Sequence, residues 1–328
     1  MYQVIEVQFD EWEYLYSQTL NSPLLQSWQY GQAKQNTSKW KVKRFKVVDQ
    51  KGEPVALAQF LVFEFAFFGG VARLNRGPTM IYESGRSGHN FSLIIKSLMH
   101  YAQKRRWWMV QIAPEIKQSE ENEEMLFSLS LRKLSSPPAG SALLYLKNNE
   151  EDLLKGLKKK WRYSLRKAQE KNLTITRADC IGNDFSKLQE RYKAMKDMRE
   201  FSGLSSSLLD SLAEQRSRLW SMDLFYANEH NKTGAENSLG MLISVRHGDT
   251  ATYLVGVTED AGRQLQVNYL LLWKAILAAK FSGCKWFDLG GLDATTPEGI
   301  AHFKRGINAV PYSLIGEWRC YLHPWRRW

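Results

Sequence analysis

The segment FDLGGLD, residues 287–293, ends an apolar strand with the acid Asp288 followed by two glycines. Gly290 and Gly291 allow the backbone to come close to a ligand. The same residues also suit a plain strand-ending turn in which Asp288 is satisfied locally. GIAHFKRGINA, residues 299–309, follows at once and carries the pair Phe303–Lys304. That pair has no chemical meaning by spacing alone. NRGP, residues 75–78, sets Arg76 and a flexible glycine at the end of another strand, either as a ligand-lining turn or as an ordinary β-turn.

The strongest electrostatic feature is LLKGLKKKWRYSLRKAQEKN. It holds eight basic residues from Lys155 to Lys171 against one acid, Glu170. Leu154, Leu157, Trp161, Leu165 and Ala168 recur at helical spacing, which predicts one helix over 151–171 with an apolar face on the core. Lys158, Lys159, Arg162, Arg166 and Lys171 then fall on or near the solvent side. They either solvate a surface helix or meet a polyanion such as an RNA backbone.

Several familiar chemistries are missing. The six histidines (89, 100, 230, 247, 302 and 323) show neither HExxH nor HxxxH spacing. There is no GxSxG elbow, no Walker A loop and no GxGxxG. Cys180, Cys284 and Cys320 form no CxxC pair, so neither a zinc site nor a disulfide framework is expected, and no metal is. The pyrophosphate loop of acyl-CoA acetyltransferases is absent too. GRQLQVNYLLLWK has only Gly262 before its helix, a poor cradle for a diphosphate.

The elements that would hold these residues are legible from periodicity. The first half predicts a helix near 10–19, a short helix within 24–36, and a hairpin of 41–48 with 55–63. A helix over 91–105 and a strand over 107–112 follow. SSPPAGS, residues 135–141, punctuates the chain before a strand over 142–146, and the main boundary is placed just after that strand. The second half predicts strands at 173–177, 219–227, 240–246, 250–257 and 285–289. Its helices lie near 184–197, 205–218 and 266–281. Residues 93–112 align with 271–290 at an offset of 178, with Lys96 on Lys274 and Trp108 on Trp286. That suggests a duplicated unit. The fold class is α/β (α+β), with two domains of mixed, largely antiparallel sheets.

The chain has 328 residues, 44% hydrophobic and 24% charged, which excludes a disordered or fibrous chain. Its 45 Lys+Arg against 34 Asp+Glu leave +11, which favours polyanionic partners. The acidic N-terminus lacks the basic start of a signal peptide, and no apolar run reaches membrane-spanning length. A reducing cytoplasm is the expected location.

Together these blocks resemble the Fem-type peptidoglycan-bridge aminoacyltransferases. The resemblance rests on QSWQYGQAK, ARLNRGP, LKKKWRYSLRKAQEKNLTI, TYLVGVTEDAGRQLQVNYLLLWKAI and KWFDLGGLDATTPEGIAHFKRGINAVPYSLIGEW. It implies two tandem GNAT-like domains, 1–148 (completed by 315–328) and 149–314, without a coiled-coil arm. It implies an aminoacyl-tRNA-dependent N-acyltransferase that places an amino acid on an amine of a murein or other cell-envelope precursor, with no cofactor. The alternative is a tRNA-independent enzyme of surface-polysaccharide synthesis that uses acyl-CoA or a carrier.

The resemblance places Lys304, Phe303 and Asp288 at the reaction centre. It makes Lys34, Arg76, Arg199 and Tyr253 candidates for the precursor cleft. Lys158, Lys159, Arg162 and Arg166 are the candidates for tRNA. A monomer is expected. The tail WRCYLHPWRRW, residues 318–328, mixes tryptophan and arginine. It suits either a final strand with a basic end or peripheral contact with an anionic membrane at the inner face.

Overall fold

The computed structural model describes residues 2–65, 68–81, 88–199, 203–229, 234 and 237–322, excluding the side chains of residues 88, 89 and 199. The chain forms two compact units, residues 1–140 with 312–328, and residues 141–311. Both are mixed α/β.

The first unit contains β1 (Gln3–Glu6), α1 (Phe9–Tyr16), α2 (Trp28–Asn36), β2 (Lys41–Val48), β3 (Pro54–Phe65), β4 (Gly69–Asn75) and β5 (Thr79–Met80). It continues with α3 (Gly88–Lys104), β6 (Trp107–Ala113), α4 (Glu120–Ser128) and β7 (Arg132–Lys133). The second unit holds β8 (Gly140–Tyr145), α5 (Glu150–Gly156), α6 (Lys159–Gln169), β9 (Leu173–Asp179), α7 (Gly182–Arg199) and α8 (Ser206–Ala213). Then come β10 (Trp220–Glu229), β11 (Gly240–His247), β12 (Thr250–Thr258), α9 (Asp260–Gln264), α10 (Val267–Phe281), β13 (Trp286–Asp288) and α11 (Glu298–Arg305). At β14 (Val310–Ser313) the chain passes back to the first unit and ends in β15 (Trp318–Tyr321).

The first sheet runs β1-β2-β3-β4-β6-β15-β7, with β5 beside β3. The second runs β14-β8-β13-β12-β11-β10-β9. The strand over 140–145 pairs with β13 and so belongs to the second sheet. The division therefore falls before that strand, at residue 140, and not at 148. The punctuation at 135–141 coincides with the division, and the strand after it joins the second sheet because its partner lies about 140 residues away.

In each sheet one helix returns the chain to a parallel neighbour. α3 leads into β6, parallel to β4, and α10 leads from β12 to the parallel β13. These are the two segments that match at an offset of 178. α3 turns Phe91, Ile94, Ile95, Leu98, Met99 and Ala102 onto the first core, a 3.6-residue stripe. α10 is apolar nearly all round because it lies between the sheet and α6.

The predicted basic helix is two helices. α5 is capped by the Asn149 side chain, and acids fill its first turn. Leu157 and Lys158 then take extended backbone. Leu157 is buried, and the Lys158 N–H donates to Gly306 O at 3.0 Å. Both residue types favour helix, so a tertiary anchor overrides local propensity. Among the described residues no helix exceeds the 18 residues of α7, and none is long and apolar enough to cross a membrane.

One buried polar cluster fixes α2 and the Asn75–Arg76 turn on β3. Gln59 N–H donates to Gln26 Oε1 at 2.8 Å, and Gln26 Nε2 donates to Asn75 O at 2.6 Å. Gln59 Nε2 holds the carbonyls of Leu25 (3.2 Å) and Ser27 (2.9 Å). Arg44 Nε donates to Gln59 Oε1 at 2.7 Å while its guanidinium lies 3.6 Å over the Trp28 ring. Burial pulls the Arg44 pKa down to about 9. Gly31 is required beside this cluster, since a Cβ there would stand 2.2 Å from Gln59 Oε1. Gln59→Leu leaves a buried guanidinium and two carbonyls short of partners. We expect it to lower unfolding stability by about 2–4 kcal/mol in denaturant titrations, where an apolar swap without such losses stays under about 1.5 kcal/mol.

Candidate active site

β13 ends at Asp288, whose Oδ1 accepts hydrogen bonds from Ser141 Oγ and, at 2.8 Å, from Gly290 N. That carboxylate folds the turn behind it. Gly290 has φ +63, and a Cβ there would lie 2.6 Å from Tyr253 O. Only glycine fits both constraints. The turn points the carbonyls of Gly290 and Gly291 at Lys304 Nζ, which donates to each at 3.1 Å.

Lys304 sits on α11 and is 6% exposed. Its Nζ stands 5.0 Å from the centroid of the Tyr253 ring, a cation–π distance. Among the described residues no carboxylate makes a salt bridge to it. Burial pulls its pKa down to about 8, partly offset by Asp288 and Asp293. A neutral carbonyl cage around a desolvated ammonium gives a proton-bearing group that titrates near neutrality.

Tyr253 reaches this position through a bulge in β12. The register steps from Ser244↔Tyr253 to Ile243↔Val255, leaving Leu254 as the extra residue. Burial raises the Tyr253 phenol to about 12, so it stays neutral and can donate a hydrogen bond. Below the lysine lies an aromatic cluster. Trp161 Nε1 donates to Phe303 O at 3.0 Å, and the Tyr269 ring meets Trp161 at 5.0 Å and Phe303 at 5.1 Å, edge-on. The rear of α11 is thereby fixed to the start of α6.

The segment before α10 is filled by α9. Gly262 packs there with no room for a side chain, since a Cβ would lie 2.0 Å from Leu239 O. That glycine serves packing and does not open the helix entrance. Among the described residues no cluster of three or more His, Cys, Asp or Glu side chains could hold a metal ion, and the three cysteines are free and buried.

A family-wide sequence profile for the FemAB family matches residues 6–133 and 177–327. The chain belongs to the FemAB family. Family and fold make it an acyltransferase. The crystal structure of FemX superposes with TM-score 0.78 at 15% identity, covering 98% of this chain and 97% of that one. A tandem GNAT protein from the clavulanic acid biosynthesis pathway gives TM-score 0.58 at 12% identity, over 99% and 100% of the two chains. L-PGS from Bacillus licheniformis gives 0.56 at 12%, over 98% and 94%. At such identities these likenesses establish the tandem GNAT-like fold alone. No curated protein matches the sequence.

Within this FemAB chain the predicted residues divide. Lys304, Tyr253, Asp288 and Phe303 come together in the second unit. Asp288 holds the glycine turn, and the Phe303 ring packs in the aromatic cluster. Lys34 is half-buried on α2 in the first unit. Arg76, at φ 59, pairs through Nε with Glu115 at 2.6 Å and donates to Tyr312 Oη at 2.8 Å. Its guanidinium is thus engaged within its own unit. Arg199 ends α7, and its side chain lies outside the described residues.

Lys158, Lys159 and Arg166 are exposed, whereas Arg162 is half-buried and donates to Lys155 O at 2.9 Å. The family match omits residues 134–176, which hold all four. Trp325, Arg326, Arg327 and Trp328 of the tail lie outside the described residues. A cavity of about 770 Å³ in the first unit is lined by none of the predicted residues.

Sequence reasoning missed Ser141, Trp161 and Gly306. Ser141 lay in a run read as punctuation, and Trp161 was read only as part of an apolar face. Gly306 gives the cleanest signal, because a Cβ there would stand 2.4 Å from Trp161 Cδ1. Gly306→Ala should therefore lower stability by about 1–3 kcal/mol. Gly299→Ala, on the same helix with nothing within 4 Å of its Cβ, should be neutral or stabilising by up to about 1 kcal/mol. Denaturant midpoints of the two variants check this, and equal midpoints would remove Trp161 as the anchor of α11.

Proposed function

We propose that the protein transfers an amino acid from aminoacyl-tRNA to an amine of a peptidoglycan-type precursor. The observation that carries this reading is the buried Lys304 ammonium, held by two carbonyls and a ring beside a glycine turn. An aminoacyl ester is already activated, so its aminolysis needs positioning and charge stabilisation more than a protein nucleophile. The acceptor amine attacks the ester carbonyl and a C–N bond forms. The oxyanion of the tetrahedral intermediate faces the Lys304 ammonium. As the C–O bond breaks, the proton lost by the amine ends on the ribose hydroxyl.

Membership of the FemAB family supports the murein-type acceptor. FemX is the structural relative that supports it on the side of the fold. The filled entrance of α10 and the packed Gly262 favour a donor other than acyl-CoA. Lys158, Lys159, Arg162 and Arg166 are the proposed contacts to tRNA, and the net charge of +11 agrees with such a partner. Lys34, Arg76, Arg199 and Tyr253 are the proposed precursor contacts. Of these, Lys34 has the clearest case, and its loss should raise the acceptor KM more than it lowers kcat. No helix of the described residues can span a membrane, which agrees with action from the cytoplasm.

The test is transfer to murein precursors from charged tRNAs and from acyl-CoAs, with product mass as the readout. Wild type should use charged tRNA, and Lys304→Ala should lose about 10²–10³-fold in kcat while keeping its fold. The active form is the ammonium, which is lost as pH rises through about 8, so the rate should fall there. Lys304→Arg should move any such fall to higher pH. Neutralising Lys158, Lys159, Arg162 and Arg166 should flatten the salt dependence of tRNA binding by about 0.7–0.9 log units per log unit of salt for each phosphate no longer neutralised. Transfer from acyl-CoA alone, or wild-type turnover by Lys304→Ala, would overturn this reading.

A further inference from the structure

One end of the first sheet carries aromatic rings that its core does not use. β2 begins there after Trp40, β3 ends at Phe65, β4 begins after Phe68, β6 begins at Trp107 and β15 ends at Tyr321. Pairing brings these ends together. Phe65 lies opposite Gly69, Gly70 opposite Trp107, and Tyr321 opposite Met109. Phe68 is 81% exposed, Tyr321 58%, Phe65 44% and Trp108 41%.

The rings form a continuous row. Trp40 meets Phe63 at 6.2 Å, Phe63 meets Phe65 at 5.0 Å, and Phe65 stacks on Trp108 at 6.3 Å. Two backbone devices hold the row outward. The β4–β6 register steps from Gly70↔Trp107 to Val71↔Met109, so Trp108 is a bulge residue turned off the core face. Gly69, at φ +87, lets Arg106 O come where a Cβ would stand at 1.9 Å. Strand ends could be closed with polar turns at no loss to the core. A built row of rings that surfaces at Phe65 and Trp108, with Phe68 exposed just before β4, therefore marks a contact surface.

The charge beside the row is one-sided. Lys39, Lys41, Lys104, Arg105 and Arg106 are all exposed there. Glu64 is the acid of this strand end, and it pairs with Lys41 at 3.9 Å. Apolar rings flanked by lysine and arginine match the headgroup layer of an anionic bilayer, where rings reach the acyl boundary and cations meet lipid phosphate. Nucleic acid fits less well. Phe65 and Phe68 offer no polar atom.

We propose that this end of the first sheet is a peripheral binding surface for anionic lipid bilayers, with Phe65, Phe68 and Trp108 entering the interface and Arg105 and Arg106 meeting phosphate. The proposal goes beyond the transfer reaction and stands whatever the donor and acceptor are. It also differs from membrane contact through the tail, because it needs none of residues 323–328.

The test uses the full chain and vesicles of phosphatidylcholine with or without about 30% phosphatidylglycerol. Wild type should co-sediment with the anionic vesicles. Phe68→Asp should reduce partitioning about tenfold, and Arg105→Gln with Arg106→Gln should remove the preference for anionic lipid. Because Cys180, Cys284 and Cys320 are buried, a fluorophore on Phe68→Cys reports this site selectively. Brominated lipid should quench it. Binding that survives Phe68→Asp but is lost on removing residues 323–328 would assign the contact to the tail and overturn the proposal. So would an unquenched label on bound protein, or loss of tRNA binding by Phe68→Asp with vesicle binding unchanged.

Discussion

The second unit is organised around one costly act, the burial of the Lys304 ammonium against two backbone carbonyls. Desolvation draws its pKa from 10.5 to about 8, a difference of about 3 kcal/mol between the two protonation states. Below about pH 8 the lysine is protonated in both folded and unfolded chains, so the whole cost is present there. It fades as pH rises towards 10.5, where the folded chain has already released the proton. A protein concerned only with stability would place an apolar residue here. The surroundings make sense as compensation and as alignment. Asp288 and Ser141 fix the turn, Gly290 permits it, two carbonyls receive the ammonium, and Tyr253 closes one side.

Much of this was legible in the sequence, and what was missed has a common cause. α3 and the β2–β3 hairpin rest on local periodicity, which a sequence displays directly. The FDLGG turn was legible because glycine at a strand end has few other uses. The depth of Lys304 was not legible, since GIAHFKR reads as a polar helix. Its burial is set by Tyr253, about 50 residues earlier, and by Trp161, further still. The break at Leu157–Lys158 was hidden for the same reason, because the carbonyl of Gly306 decides it. Asp288 and Phe303 were placed at the reaction centre by resemblance. In the structure the Asp288 carboxylate accepts from Gly290 N and the Phe303 ring meets Tyr269, contacts that no local pattern displays. At the strand-end turn of Arg76 the partners Glu115 and Tyr312 come from distant parts of the chain, which the sequence does not display.

The two units repeat one plan and use it differently. In each, a helix returns the chain to a parallel strand, and one strand of that parallel pair is bulged: the returning strand β6 in the first unit, its neighbour β12 in the second. In the second unit the bulge in β12 turns Tyr253 towards Lys304. In the first unit the bulge in β6 turns Trp108 out to solvent. The same local irregularity thus serves an interior site in one unit and an outer surface in the other. The basic stretch of the second unit lies outside the family match, yet α6 is fixed to α11 through Trp161 and Lys158. A ligand bound along α6 would therefore press directly on the helix that carries Lys304.

Everything in the second unit turns on whether the buried Lys304 ammonium titrates near 8. Protein carrying ¹³C at the lysine ε-carbons allows every lysine to be titrated by NMR, with Lys304→Arg identifying the resonance. The Lys304 resonance, absent from the Lys304→Arg spectrum, should have a midpoint near 8. A midpoint for Lys304 at the ordinary lysine value of 10.5 would contradict this.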